Sequence, residues 1–137
     1  MDRQEAIEYL LDHYQNPRNS GPLEGADVSM PGGNPGCGDV VTIHLKVDPA
    51  RDAIERVTFE GQGCTISQAA ASILTEIVAD KPLAEIDQMD FNDMIDLLGR
   101  EVVSTRPRCA TLALGTLKAA ITKYRTDRAR AELDGQA

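Results

Sequence analysis

Residues 39–78 read DVVTIHLKVDPARDAIERVTFEGQGCTISQAAASILTEIV, and the change of period inside this stretch decides the fold. From Asp39 to Val47 the chain alternates, with Val41, Ile43, Leu45 and Val47 on one side and Val40, Thr42, His44 and Lys46 on the other. That is the pattern of a half-buried strand. Asp48-Pro49-Ala50-Arg51-Asp52 reads as a turn, and Ala53 to Glu60 supplies a second strand through Ile54, Val57 and Phe59, so the two form a hairpin. After Gly61-Gln62-Gly63 the period becomes helical, with Ile66, Ala70, Ile73, Leu74, Ile77 and Val78 in an apolar stripe that stops near Asp80-Lys81-Pro82. The helix is predicted to begin at Cys64.

Upstream, Arg3 to Tyr14 places Ile7, Leu10, Leu11 and Tyr14 at helical spacing, and Asn16-Pro17-Arg18-Asn19 breaks the pattern. Ser20 to Gly36 is rich in Gly and Pro and reads as a loop with one edge strand around Asp27 to Met30. Downstream, Leu83 to Met89 and Phe91 to Leu98 read as two short helices, the second closed by Gly99. Past Arg106-Pro107, Ala110 to Tyr124 forms another helix, and the charged segment 126–137 is expected to fray. Strands grouped apart from helices predict an α+β fold, a small antiparallel β-sheet packed against several α-helices, in a single domain over 1–137.

Composition narrows the function. An apolar fraction of 42% and a charged fraction of 26% are those of a globular protein, and no apolar run approaches the ~20 residues that span a bilayer. The start, Met1-Asp2-Arg3-Gln4-Glu5, lacks the basic and apolar regions of a secretory signal, so a cytoplasmic protein with no membrane partner is expected. A net charge of -8 argues against binding nucleic acid, where lysine and arginine must replace counterions. Three cysteines cannot complete an internal disulfide framework, which turns the question to thiol and metal chemistry.

Each cysteine sits at a junction between a loop and an element. Cys37, in Asn34-Pro35-Gly36-Cys37-Gly38-Asp39, lies on a glycine-flanked turn from which its thiol should project. Asp39, two residues on, is near enough in sequence for its carboxylate to join the same metal. Cys64 and Cys109 each open a helix, where free N–H groups and the helix dipole favour a thiolate, and Arg106 and Arg108 add positive charge beside Cys109. Cys37 is expected to be the most exposed thiol and Cys64 the least reachable. Spacings of 27 and 45 positions are unlike a zinc ribbon or a redox dithiol, so the fold itself must gather the ligands. His13 and His44 have no second histidine nearby and read as structural, and Ser67 and Ser72 have no base beside them.

Asn34-Pro35-Gly36-Cys37-Gly38-Asp39, Gly61-Gln62-Gly63-Cys64-Thr65-Ile66-Ser67-Gln68-Ala69 and Arg106-Pro107-Arg108-Cys109-Ala110-Thr111-Leu112 together resemble the iron-sulfur cluster assembly scaffold family, the NifU N-terminal domain with its IscU and SufU branches. Asp12-His13-Tyr14 followed by Asn16-Pro17-Arg18-Asn19 is similar to that family's first helix and its exit, so the resemblance spans about residues 5–125. It implies the NifU N-terminal, SufE-like architecture. It also implies that Cys37, Asp39, Cys64 and Cys109 bind a transient [2Fe-2S] cluster, with the hard carboxylate making the cluster labile. Sulfur would arrive as persulfide from a cysteine desulfurase, on Cys109 or alternatively on Cys37, and the cluster would leave for apo iron-sulfur acceptor or carrier proteins. A homo-oligomer is a further partner arrangement that the sequence leaves open.

The branch stays open. The histidine that IscU-type members place before the third cysteine is replaced by Arg108, and no Leu-Pro-Pro-Val-Lys stretch precedes it. The third motif resembles SufU, yet the insertion common in SufU proteins between the second and third cysteines is absent. A zinc-dependent sulfurtransferase, with zinc on the same four ligands, is therefore the alternative to a scaffold.

Overall fold

In the computed structural model, which describes residues 2–34 and 38–135, the chain runs α1 (Arg3–Gln15), β1 (Val28–Asn34), β2 (Asp39–Asp48), β3 (Ala53–Gln62), α2 (Thr65–Val78), α3 (Leu83–Asp87), α4 (Phe91–Leu98), α5 (Arg100–Val103) and α6 (Pro107–Gly135). The strands form one antiparallel sheet in the order β1-β2-β3, with Ile43 opposite Met30 on one side and Phe59 on the other. The α+β expectation holds, and so does the hairpin.

The alternation of β2 sorts its side chains as predicted: Val41, Ile43, Leu45 and Val47 are buried. They face α6, which packs on β1 and β2, while α2 packs on β3 and on α6. Ile54, Phe59, Ile73, Leu74, Leu114, Leu117 and Ile121 complete this layer, each branched or aromatic side chain contributing ~1.5–3 kcal/mol by burial. The opposite sheet face is polar, and on it His44 bridges Ser29 Oγ (2.7 Å) and Glu60 Oε2 (2.8 Å). Gly32 lets α6 approach β1 closely, since a Cβ there would stand 2.0 Å from Thr116 Oγ1.

Among the boundaries and faces that differ from the sequence expectation, three have a clear physical reason. In α1 the buried face is Ala6, Leu10 and His13, whereas Leu11 and Tyr14 are exposed. Polar anchoring selects this face: His13 Nδ1 meets Ser72 Oγ at 2.7 Å, its Nε2 lies 3.3 Å from Glu76, and the Arg18 N–H donates to Ser72 Oγ at 2.9 Å. Burial holds the His13 imidazole below its usual pKa, the Arg18 charge adding to the effect, so the neutral ring is the form that docks. Second, β1 continues through Pro31-Gly32-Gly33 as an edge strand, longer than the piece expected. Third, α6 does not stop near Tyr124 but is helical to Gly135, with Lys123–Asp127 and Arg128–Glu132 spaced one turn apart along its exposed end. Among the described residues no helix is long and apolar enough to cross a membrane.

Candidate metal centre

The candidate site forms where the start of β2, the end of β3 and the start of α6 converge. Asp39 opens β2 and is buried, and its Oδ1 accepts the Cys64 N–H at 2.8 Å. Cys64 is the N-cap of α2: its backbone is extended and its Sγ accepts the Ser67 N–H at 3.5 Å. The Cys64 thiol also lies 3.5 Å from Asp39 Oδ2, to which it donates. One carboxylate oxygen is thus spent on holding the loop, and the other faces the sulfur.

Gly63 makes this approach feasible. Its φ is +151°, and a Cβ on it would stand 2.2 Å from Asp39 Oδ1 and 3.0 Å from Ser67 Oγ. Any side chain here would collide with the group that pins the turn. A cleft of roughly 350 Å³, lined in part by Tyr14, Gly61, Gly63 and Gln68, opens beside this turn.

Cys109 arrives from the far end of the sequence. Pro107 takes the first position of α6, where its missing N–H costs nothing, so Cys109 is the third helical residue and turns inward, only 2% exposed. The ligand atoms of Asp39, Cys64 and Cys109 all lie within 4.8 Å of one another, the one such group among the described residues. Both cysteines stand at helix starts as expected, but the order of access is corrected. Cys64 is half-buried and Cys109 is buried, because the cap residue sits at the rim while a third helical residue faces the sheet. Cys37 lies outside the described residues.

Of the two arginines, Arg106 is the one drawn to the sulfurs. Its guanidinium is held above its ordinary pKa by hydrogen bonding to Cys109 and by the attraction of Cys64 and Cys109, which marks it as the local counter-charge. Arg108 stands exposed in the same turn. His13 and His44 are engaged elsewhere, as structural groups. Ser67 and Gln68 also border this turn, and the one sign of Ser67 in the sequence is a hydroxyl three residues after a cysteine cap.

Two sulfurs and one carboxylate oxygen suit a tetrahedral, sulfur-rich site for zinc or iron. Sulfurs around a single zinc stand about 3.8 Å apart, from a Zn–S bond of about 2.3 Å. The three ligand atoms, within 4.8 Å of one another, are spaced near that scale.

Comparisons with known proteins place the chain in a family. The model of the NifU-like N terminal domain matches residues 5–131. The iron-sulfur cluster assembly scaffold protein IscU of Aquifex aeolicus is 39% identical over 125 residues, which cover 91% of this chain and 79% of that protein. The zinc-dependent sulfurtransferase SufU of Bacillus subtilis is 33% identical, over 83% of this chain and 87% of that one. The crystal structure of a SufU protein of Fervidobacterium islandicum superposes with a TM-score of 0.71 at 27% identity, covering 88% of this chain and 99% of that one. With the fold, the three-element junction and these likenesses in agreement, the chain belongs to the NifU-like N-terminal domain family.

Proposed function

We propose that this protein is an iron-sulfur cluster assembly scaffold, which accepts persulfide sulfur from a cysteine desulfurase, binds iron, builds a transient [2Fe-2S] cluster as its cargo and passes it to apo acceptor or carrier proteins. The observation that carries the reading is the meeting of Asp39, Cys64 and Cys109 within 4.8 Å, beside Arg106. Cys37, two residues before Asp39 in the sequence, supplies the third thiol. In the sulfur-transfer step a thiolate of this chain attacks the outer sulfur of the desulfurase persulfide. A new S–S bond forms here, and the desulfurase cysteine leaves as its thiolate.

Cys109 is the proposed first acceptor, since Arg106 stabilises its thiolate, and Cys37 is the alternative. Because Cys109 is buried, docking must uncover it. Mass mapping after brief incubation with desulfurase and cysteine tests the order. A persulfide first on Cys109 is expected, and one on Cys37 with Cys109 unmodified overturns the assignment.

The compactness of the ligand set favours a second reading, a zinc-dependent sulfurtransferase with one ion on the same four residues. Asp39→Ala separates the two. For a scaffold, losing the hard ligand lengthens the lifetime of a reconstituted cluster in air and slows its transfer. For a zinc protein the same change weakens zinc binding roughly 10-fold or more. Unaltered cluster lifetime together with unaltered zinc affinity removes Asp39 from the site.

A further inference from the structure

One buried hydroxyl beside the site is not used by the reading above. Ser67 is 2% exposed and follows Cys64 by three residues at the start of α2. Its N–H reaches Cys64 Sγ at 3.5 Å, and its Oγ lies 3.7 Å from the same sulfur. The hydroxyl donates to the Cys64 carbonyl at 3.0 Å, while Gln68 Nε2 donates to Ser67 Oγ at 3.4 Å. The missing Cβ of Gly63 keeps this space clear, since it would stand 3.0 Å from the hydroxyl.

The Ser67 hydroxyl has two acceptors within reach, the Cys64 carbonyl and the Cys64 sulfur. In the metal-free chain the Cys64 thiol donates to Asp39 Oδ2, and the Ser67 hydroxyl donates to the carbonyl. Once a metal replaces the thiol proton, the sulfur becomes an acceptor. Rotation about the Cβ–Oγ bond then moves the Ser67 proton from the carbonyl to the sulfur with every heavy atom in place. Gln68 keeps occupying a lone pair of Oγ, which leaves the proton to be directed outward.

We infer that Ser67 is a positioning residue for the metal-bound sulfur of Cys64, its N–H and O–H forming a two-donor cradle that aims the sulfur at the metal and draws charge off it, with Gln68 orienting the hydroxyl. The inference rests on the metal-site reading of Asp39, Cys64 and Cys109. Hydrogen bonds to a ligating sulfur tune the metal centre without touching it, the general behaviour of outer-shell partners. A serine that merely satisfied the first turn of α2 would change stability and leave the spectrum of a bound metal alone.

The test is titration of the metal-free full chain with Co2+, reading the sulfur-to-cobalt charge-transfer band in the near ultraviolet. Ser67→Ala is expected to move the band to longer wavelength, because a thiolate with one hydrogen bond fewer gives up its electron more easily, and to weaken Co2+ binding roughly 10-fold. Ser67→Thr should restore both, and Gln68→Ala should shift the band the same way by a smaller amount. A band unmoved in Ser67→Ala overturns the inference, as does a shift that threonine fails to reverse. If Ser67→Ala does not fold, Gln68→Ala decides the matter, an unmoved band overturning the cradle. No charge-transfer band in the parent protein would instead overturn the metal-site reading, a failure distinguishable from an unmoved band.

Discussion

Cys109→Ser is expected to lose all stable zinc or cluster binding while the chain stays folded. A serine hydroxyl does not ionise near neutral pH and is a hard donor, so it replaces neither the charge nor the softness of the thiolate. The site is left with one described sulfur, Cys64, and one carboxylate. Cys109 is buried next to Ala110 and near Ala113 and Leu114, so a serine of nearly the same size costs about 1–3 kcal/mol by desolvation of its hydroxyl and leaves the packing intact. Cys64→Ser should lose metal equally but behave differently in stability. Cys64 is the N-cap of α2 and already accepts the Ser67 N–H, and serine is among the preferred caps. The metal-free Cys64→Ser protein should therefore be at least as stable as the parent. Iron and zinc analysis beside urea unfolding checks both variants. Normal metal content in either would break the shared site, and the same holds for Cys37→Ser.

Gly63→Ala should weaken the site without removing any ligand. The added Cβ would meet Asp39 Oδ1 at 2.2 Å and Asp39 Cγ at 2.8 Å, and the backbone would have to keep a φ of +151°. The strain alone costs about 1–3 kcal/mol. Relief requires Asp39 to leave the Cys64 N–H, which frees the turn that carries the sulfur. A loss of metal affinity of roughly 10- to 100-fold is expected, as for other disrupted supports of a metal ligand. Gly21→Ala is the control: Gly21 also has a positive φ, +118°, but nothing lies within 4 Å of its Cβ position. It should lose stability and keep metal. Equal metal affinity in Gly63→Ala and the parent would show that the turn does not hold Asp39.

Much of the architecture is legible because local and tertiary preferences coincide there. The alternation of β2 survives because one face meets α6 and the other meets solvent. Phe91–Leu98 is framed by an Asp90–Asp93 capping box and by Gly99 at φ +96°, and its predicted bounds hold. The start of α2 at Cys64 is legible because a loop of Gly61-Gln62-Gly63 ends where the apolar stripe begins. What escaped the sequence is decided by partners distant along the chain. The face of α1 turns on Ser72 and Glu76, some sixty residues away, which rank His13 above Leu11 and Tyr14 for burial. α5 (Arg100–Val103) has only four residues, too few for a periodic signal. The end of α6 rests on ion pairs along an exposed surface, where apolar periodicity has nothing to report.

The site shows the same division. Helix starts and turn residues mark Cys64, Cys109 and Asp39 in the sequence, and the structure brings those three together. Depth was not legible, because burial of Cys109 follows from how α6 meets the sheet. Nor was the choice between Arg106, which precedes α6 and interacts with both sulfurs, and Arg108, which lies in its first turn.

The account is tested most directly by the iron, acid-labile sulfide and zinc content of the full chain after anaerobic incubation with iron, cysteine and a cysteine desulfurase. It predicts a brown protein with iron and sulfide in equal amounts, about two of each per site, which an apo acceptor then removes. A colourless chain holding neither iron nor sulfide after that incubation, or one that keeps zinc and passes nothing to an acceptor, would contradict it.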